Sequence, residues 1–353
     1  MFRLKAGPIR KAMTPNSSAE TYSSQLSAAS TLALKTVGPQ GYRLGLAGQV
    51  IALHFAGGEL LEVILPALRH LLIIENDMRV DLTVILWDSA STGVALPEFP
   101  WHPPTNEAWK VDTECHLAFY QPQRASLVWF NRRENCAFFW IPDRASTLEE
   151  SFNPLIYLWS WWFAPQSTQL AHAAAIAGKN GAALLVGPSG SGKSTTALLA
   201  LNSSLCYLAD DYCLITLQPK PTVYSLFATA KVLLPDKARH PWLAPAYRHE
   251  NSEKALYVVY PQFENNFVLE MPLRAVIAPR ITGETSTQLV PTTSMDVLRS
   301  LAPSTLMQLS IGTDPARALR LITEIVRWVP CYRLLLGTDF EQIPVVLANL
   351  LDG

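Results

Sequence analysis

The sequence predicts an α/β protein whose core occupies residues 166–353. An apolar, strand-like run at 182–186 leads through a glycine-rich loop into residues 194–201, where the apolar side chains have helical spacing. A second apolar run at 205–209 follows and ends on a pair of aspartates. Strands that alternate with helices in this way are typical of a layered α/β fold.

The remainder of the core continues in the same way. One helix is predicted to begin with Asp314 as its N-cap and Pro315 in its first turn. Further strands are predicted at 223–226, 255–260, 274–277 and 332–336, and further helices at 295–301 and 343–351.

A smaller α+β domain is predicted before the core, at residues 39–165, with a flexible tail at 1–38. The tail is basic at its start and rich in Ser and Ala, a composition that is also typical of organelle transit peptides. A transit peptide is therefore an alternative to the flexible tail, and the less favoured of the two. In the domain we predict strands at 49–55, 82–87, 115–120, 126–130 and 136–141, helices at 60–72 and 152–163, and a surface connection at 88–110. The last three strands suggest a small antiparallel sheet.

Composition narrows the classes of function. Hydrophobic residues make up 49% of the 353 residues and charged residues 16%, which is enough apolar material for sizeable cores. The net charge of -1 gives no electrostatic reason to expect nucleic acid, and no apolar run reaches the ~18 residues of a membrane span. The five cysteines show no CxxC pair and no metal-like spacing, and their odd number and the absence of a secretory h-region favour a reducing, cytoplasmic location. The oligomeric state stays open, a homo-oligomer included.

The glycine-rich loop matches GxxxxGK[ST], the P-loop or Walker A motif. Its glycines let successive backbone N–H groups point at phosphate oxygens, and the helix that follows adds the positive end of its dipole. A lysine at this position reaches the β- and γ-phosphates, and the next hydroxyl can bind Mg²⁺. We therefore expect ATP to be bound, with Mg²⁺, by Gly187, Pro188, Ser189, Gly190, Ser191, Gly192, Lys193, Ser194 and Thr195.

Two further features lie near this loop in sequence. Asp210 and Asp211 end an apolar strand, where one carboxylate can hold Mg²⁺ and another can accept a proton from an attacking hydroxyl. A solvated turn or a helix cap is the alternative for such a pair, and the nearby phosphate loop disfavours it. His172 is predicted to lie on the strand before the one that leads into the glycine-rich loop. The spacing is equally consistent with a histidine packed in the core and with a functional histidine.

Together, His172-Ala173-Ala174, the segment Leu184 to Ser194 and Leu208-Ala209-Asp210-Asp211 resemble the catalytic domain of the HPr kinase/phosphorylase family. The resemblance implies a P-loop core of HPr-kinase/PEP-carboxykinase type and an ATP-dependent serine kinase. It also implies that Ser194 and one aspartate bind Mg²⁺, while the other aspartate is the general base and His172 tunes it. We assign Asp210 to the metal and Asp211 to the base, with the reverse assignment left open.

The resemblance covers residues 170–217 well and the later residues loosely. The family's glycine-rich signature for phosphocarrier binding and reverse phosphorolysis is not recognisable, and residues 1–165 differ from the usual N-terminal domain. Phosphorylase activity is therefore not implied. The chain is more similar to divergent HPr-kinase-related proteins, so the expected partner is a protein or peptide with an acceptor serine, either an HPr-like carrier or a biosynthetic precursor peptide.

Several basic residues downstream are candidates for charge contacts with the transferred phosphate: Lys231, Arg248, Lys254, Arg274 and Arg280. Lys254 is the first choice as a catalytic residue, because the polar run at 248–254 suggests a loop that covers the substrate. Ordinary surface charge is the alternative for each of them.

Three other functions remain as alternatives. A small-molecule kinase is disfavoured because 186 residues precede the loop, whereas in such enzymes the loop usually lies near the N-terminus. A non-catalytic nucleotide-binding regulator is disfavoured because the lysine, the serine and both aspartates are present. A phosphoenolpyruvate-carboxykinase-like enzyme ranks last because its additional metal-binding Lys and His are not found.

Overall fold

The chain folds into two compact units. One unit contains Met1–Pro66 and Leu71–Trp161, and the other contains Ala67–His70 and Trp162–Gly353. The computed structural model describes residues 10–11, 16–75, 77–101, 107–144, 151–251, 253–308 and 314–353. Residues 1–9 and 12–15 of the predicted tail lie outside the described residues.

The first unit is built on one mixed sheet. Its elements are β1 (Arg10–Lys11), α1 (Asn16–Val37), β2 (Pro39–Leu46), β3 (Gln49–Ala56), α2 (Glu59–Leu68), β4 (Leu82–Asp88), α3 (Ser89–Thr92), β5 (Trp109–Asp112), β6 (His116–Gln121), β7 (Ser126–Asn131) and β8 (Cys136–Ile141). Helix α4 (Ile156–Phe163) follows. The described strands form an eight-stranded sheet in the order β1-β5-β6-β7-β8-β4-β3-β2.

The predicted small antiparallel sheet is only part of this larger one. Strands β6, β7 and β8 pair antiparallel as expected. However, β8 also pairs with β4, and β4 with β3, both in parallel. Parallel pairing joins strands that are distant in sequence, so the alternation within each strand could not reveal it.

The expected flexible tail is wrong for residues 16–37, which form α1. Ala19, Tyr22, Leu26 and Ala33 of this helix are fully buried in the core of the first unit. Their spacing places them on one face of the helix, because three or four residues make one turn. The segment is therefore a structural helix of this unit.

The second unit contains the remaining elements. They are β9 (Thr168–Ala171), β10 (Ala174–Gly178), β11 (Gly181–Leu185), α5 (Lys193–Ala200), β12 (Cys206–Ala209), β13 (Cys213–Thr216), β14 (Thr222–Ser225), β15 (Thr229–Leu233), β16 (Tyr247–Glu250), β17 (Lys254–Val258), β18 (Glu270–Ile281), β19 (Gln288–Pro291), α6 (Ser294–Gln308), α7 (Pro315–Trp328), β20 (Cys331–Leu336) and α8 (Gln342–Asp352). Asp314 caps α7 as predicted, because its side chain accepts the Ala316 N–H.

Among the described residues, nine strands of this unit form one mixed sheet, with the central order β12-β10-β11-β18-β14-β13-β9. Strand β10 runs antiparallel to both of its neighbours, β11 and β12, while β18 runs parallel to β11 and to β20. Strands β11, β12, β18 and β20 therefore all end at the same edge of the sheet. A separate three-stranded sheet has the order β15-β17-β16.

Both faces of the nine-stranded sheet are covered. One face packs against α5, α8 and the three-stranded sheet, through residues such as Leu198, Leu347 and Val232. The other face packs against α6 and α7, through Leu301 and Ile322. The unit is thus a layered mixed α/β structure. In the described part of the chain, no helix combines the length and the apolar character that crossing a bilayer requires.

Candidate active site

The register of three strands brings the predicted site residues to one edge of the sheet. Ala174 at the start of β10 lies opposite Leu185 at the end of β11, and Ala175 lies opposite Ala209 at the end of β12. The glycine loop follows β11, the aspartates follow β12, and His172 precedes β10. Three separate segments of chain therefore meet where these strands begin or end.

The glycine loop runs directly into α5, which begins at Lys193. Gly192 has a φ of +103°, which side-chain-bearing residues rarely adopt, and a Cβ atom there would collide with Leu336 at the end of β20. Pro188, Ser189 and Gly190 are exposed at the tip of the loop, while Ser194 and Thr195 are half-buried in the first turn of the helix. The loop thus presents its tip to solvent and its base to the sheet edge.

Lys193 is buried, and its ammonium group is held by the loop itself. Its Nζ donates to the carbonyl oxygens of Gly187 at 2.8 Å and Pro188 at 3.1 Å. Burial lowers the pKa of Lys193, while the charges of Asp211 and Asp210 oppose this shift. A cation at this position is therefore close to both carboxylates and lies within the loop that carries it.

Asp210 is 2% exposed, and its two carboxylate oxygens have different environments. Its Oδ2 accepts the main-chain N–H of Lys231 at 2.8 Å. Its Oδ1 is buried and has no hydrogen-bond partner among the residues described. Burial, and next the charge of Asp211, raise the pKa of Asp210 to about 6, against an opposing effect of the Ser194 hydroxyl beside it.

Asp211 has partners on both sides. Its Oδ1 lies 3.4 Å from His172 Nε2, and its Oδ2 forms an ion pair with the Lys231 ammonium group. Burial raises the pKa of Asp211, but the Lys231 charge and the contact with His172 outweigh it and hold this pKa well below its usual value. This carboxylate is therefore kept ionised.

His172 was predicted to lie on the strand before the loop strand. It lies instead in the bend between β9 and β10, directly after the last residue of β9. Its main-chain N–H donates to Thr305 Oγ1 of α6 at 3.1 Å, and its ring centroid lies 5.1 Å from that of Tyr212. Its Nδ1 is buried without a partner among the described residues. The imidazole is thus fixed on one side by main-chain and ring contacts and faces Asp211 on the other.

The described side chains at this sheet edge provide too few ligands to surround a metal ion completely. They fit a magnesium ion that is also coordinated by phosphate oxygens of a bound ligand. The described residues contain no group of three or more His, Cys, Asp or Glu side chains placed to hold a metal. They do contain the unpartnered Oδ1 of Asp210, with the Ser194 hydroxyl beside that carboxyl group. Mg²⁺ typically takes one or two such protein oxygens and completes its shell with water and phosphate oxygens.

The structure separates the basic candidates. Lys231 contacts both aspartates. The charge of Lys254 contributes to lowering the pKa of Lys193, and Lys254 forms no ion pair with any described residue. Arg248 and Arg280 are exposed on β16 and at the end of β18. Arg274 is wrong as a site candidate, because it lies near the start of β18, at the opposite sheet edge, and donates to the Leu350 carbonyl at 3.1 Å.

The polar run at 248–254, predicted as a loop, forms the turn of a β-hairpin. Its ends belong to β16 and β17, which pair antiparallel, and the turn between them is closed by Asn251. The side chain of Asn251 accepts the N–H groups of Glu253 and Lys254 at 2.9 and 2.8 Å. Ser252 lies outside the described residues. Because Asn and Ser favour tight turns as well as open loops, polarity alone did not distinguish the two.

Sequence reasoning ranked Lys231 below Lys254, although a signal for Lys231 was present. Lys231 is the one charged residue in the apolar run at 228–234. A lysine inside a strand with apolar neighbours is rarely buried unless it is paired. The run was not predicted as a strand, so the signal was missed.

Comparisons with known proteins add little to this geometry. No family model and no curated protein sequence matches the chain. Among solved structures, the chain is similar to the Hpr(Ser) kinase/phosphatase from Coxiella burnetii, with 10% identity and a TM-score of 0.27. The match covers 51% of this chain and 93% of the other. A TM-score this low does not establish a shared fold.

Proposed function

We propose that this protein is a magnesium-dependent kinase that transfers the γ-phosphate of ATP to a serine hydroxyl of a protein or peptide. The observation that carries the proposal is the meeting of the loop 187–194, Asp210 and the His172–Asp211 pair at one sheet edge. Phosphoryl transfer depends mainly on positioning and charge stabilisation, and these groups supply both. The reaction belongs in the cytoplasm, where ATP is available.

The loop is proposed to bind the triphosphate. The main-chain N–H groups of the loop and the N-terminus of α5, which begins at Lys193, would donate to the phosphate oxygens. Lys193 exchanges the carbonyl oxygens of Gly187 and Pro188 for the β- and γ-phosphates. Lys254 adds a second positive charge near Lys193.

Ser194 and Asp210 are proposed to hold Mg²⁺, which neutralises phosphate charge when bound. The buried Oδ1 of Asp210 then gains the partner that it lacks among the described residues. Asp211 is proposed as the base that accepts the proton of the acceptor hydroxyl, while His172 orients it. The hydroxyl oxygen forms its bond to the γ-phosphorus as the bond to the β-phosphate oxygen breaks, and ADP leaves.

The acceptor is proposed to be a serine on an HPr-like carrier or on a biosynthetic precursor peptide. The resemblance of the residues around His172, the loop and Asp210 to the HPr kinase family supports this choice. The first unit is proposed to recognise the acceptor protein. A small metabolite and a purely regulatory role for the nucleotide are the competing possibilities.

The test is incubation of the purified protein with Mg²⁺ and γ-labelled ATP, together with peptide arrays, HPr-like carriers and a metabolite panel. Phosphoserine on a peptide or carrier, located by mass spectrometry, is the expected result. D211N and K193M are the matched inactive variants. Phosphorylation of metabolites alone would reassign the acceptor, and tight ATP binding without turnover across all acceptors would favour the regulator.

A further inference from the structure

Lys231 contacts both carboxylates of the proposed site through two different parts of the same residue. Its main-chain N–H donates to Asp210 Oδ2 at 2.8 Å, and its ammonium group pairs with Asp211 Oδ2. The side chains of Lys231 and Asp211 are only 12% and 24% exposed. A single residue therefore fixes two adjacent acidic groups from one side.

The neighbours of Lys231 hold it in this place. Lys231 lies at the middle of β15, where it pairs with Leu256 of β17. On both sides of it, Ala230 and Val232 are buried in the core shared with α5 and α8. Because successive side chains of a strand point to opposite faces, this packing directs the Lys231 side chain to the other face. Its path toward Asp211 is therefore set by the strand.

Lys254 lies on the same face of the small sheet and has a different environment. Leu233 pairs with Lys254 and Lys231 pairs with Leu256, so the two lysines are diagonal neighbours across β15 and β17. Lys231 is engaged with the carboxylates, whereas Lys254 forms no ion pair with a described residue and influences Lys193. Of the two lysines, Lys231 is therefore the one that contacts the aspartates directly.

We propose that Lys231 is a positioning residue that fixes the aspartate pair, so that Asp210 Oδ1 remains available to the metal and Asp211 Oδ1 remains beside His172. The main-chain N–H and the ammonium group of Lys231 contact the Oδ2 atoms of Asp210 and Asp211, whereas Oδ1 of Asp211 lies beside His172 and Oδ1 of Asp210 has no hydrogen-bond partner among the described residues. Lys231 acts through Asp211 and does not touch the substrate. The proposal rests on the proposed kinase function.

The experiment compares K231M, K231R and wild type for MgATP affinity and for the kcat of ATP turnover, with water or an identified peptide as acceptor. K231M keeps the main-chain bond to Asp210 and the length of the side chain but loses the ammonium group. We expect kcat to fall about 30-fold or more in K231M while MgATP affinity stays within about threefold, since binding and positioning are separate contributions. K231R is expected to recover part of the loss.

K237M is the matched control, because Lys237 is a half-exposed lysine that pairs with Glu250 away from the aspartates. If Lys231 acts through Asp211, K231M adds little to the loss caused by D211N, and the double variant resembles D211N. Wild-type kcat in a folded K231M variant, or additive losses in the double variant, would overturn the inference alone. A wild-type protein that binds MgATP without any turnover would overturn the kinase function and the inference with it.

Discussion

His172 Nε2 lies 3.4 Å from Oδ1 of Asp211, although the two residues follow different strands of the nine-stranded sheet. The contact exists because β10 lies between β11 and β12 and begins at the edge where they end. A histidine that the sequence left undecided between core packing and function is thereby placed beside the proposed base.

Substitution of His172 by glutamine tests this contact. We expect H172Q to lower the kcat of ATP turnover about 10- to 100-fold, because Asp211 loses the group that orients it. The ATP affinity of H172Q should stay within about threefold of the wild-type value. Among the described residues, the polar contacts of His172 are with Thr305 and Asp211 and not with the loop. H54Q, which changes a half-buried histidine of the first unit, is the matched control. Equal kcat in H172Q and H54Q would remove His172 from the site.

Substitution of Lys193 by methionine tests the loop. Its ammonium group donates to two carbonyl oxygens of the loop that is proposed to bind the phosphates. We expect K193M to weaken ATP binding about 100-fold or more, because a charge-assisted contact with phosphate is lost. Titration with a fluorescent ATP analogue measures this. K179M is the matched control, since Lys179 is exposed at the opposite end of β11; similar affinities for the two variants would contradict a P-loop site.

Two glycines of the loop separate backbone strain from steric crowding. Gly190 and Gly192 both have positive φ, +81° and +103°, but a Cβ atom on Gly190 meets open space, whereas one on Gly192 collides with Leu336. We expect G190A to lower the free energy of unfolding by about 1 kcal/mol and G192A by about 2 kcal/mol, because only the end of the Leu336 side chain must shift in G192A. Urea unfolding monitored by tryptophan fluorescence gives both values. Equal losses would mean that Gly192 is not packed against β20.

Stability in the absence of metal should depend on pH through Asp210. Its pKa is raised from 3.8 to about 6 in the folded protein, so between these values the folded state holds the proton more tightly than the unfolded state. Raising the pH through this range therefore lowers the free energy of unfolding. We expect D210N, which keeps an oxygen for the Lys231 N–H, to be more stable than wild type at pH 7.5 by on the order of 1 kcal/mol.

The difference between D210N and wild type should nearly vanish at about pH 4, where the folded-state Asp210 is protonated and resembles asparagine. Measurements are made in EDTA by urea unfolding. Added Mg²⁺ should stabilise wild type and leave D210N unchanged, because binding to the folded state alone shifts the equilibrium. A stability difference that is constant with pH would show that Asp210 keeps its ordinary pKa.

Helix α1 should be essential for the stability of the first unit. Tyr22 is fully buried, packs against Phe99 and Trp129 at ring distances of 5.2 Å, and donates its hydroxyl to the Pro97 carbonyl at 3.1 Å. We expect Y22A to cost about 3–5 kcal/mol through the cavity it leaves, and Y22F about 1 kcal/mol through the lost hydrogen bond. Thermal unfolding of both variants measures this; an unchanged Y22A variant would restore the flexible tail.

The sequence by itself determined the local features of this protein. The loop 187–194 was identified from its glycines, lysine and serine, and the strand and helix on either side of it lie within a residue of their predicted positions. The N-cap at Asp314 was predicted for the same reason, since a cap depends on a few neighbouring residues.

Only the tertiary structure decided which distant segments meet. The parallel pairing of β4 with β8, the place of β10 between β11 and β12, and the contact of Lys231 with both aspartates join residues far apart in sequence. Such contacts depend on strand order and register, and the alternation of side chains within a strand does not specify its neighbour. The sequence therefore predicted the glycine-rich loop. The fold decided that Lys231, and not Arg274, lies at the aspartates, and it placed His172 beside Asp211.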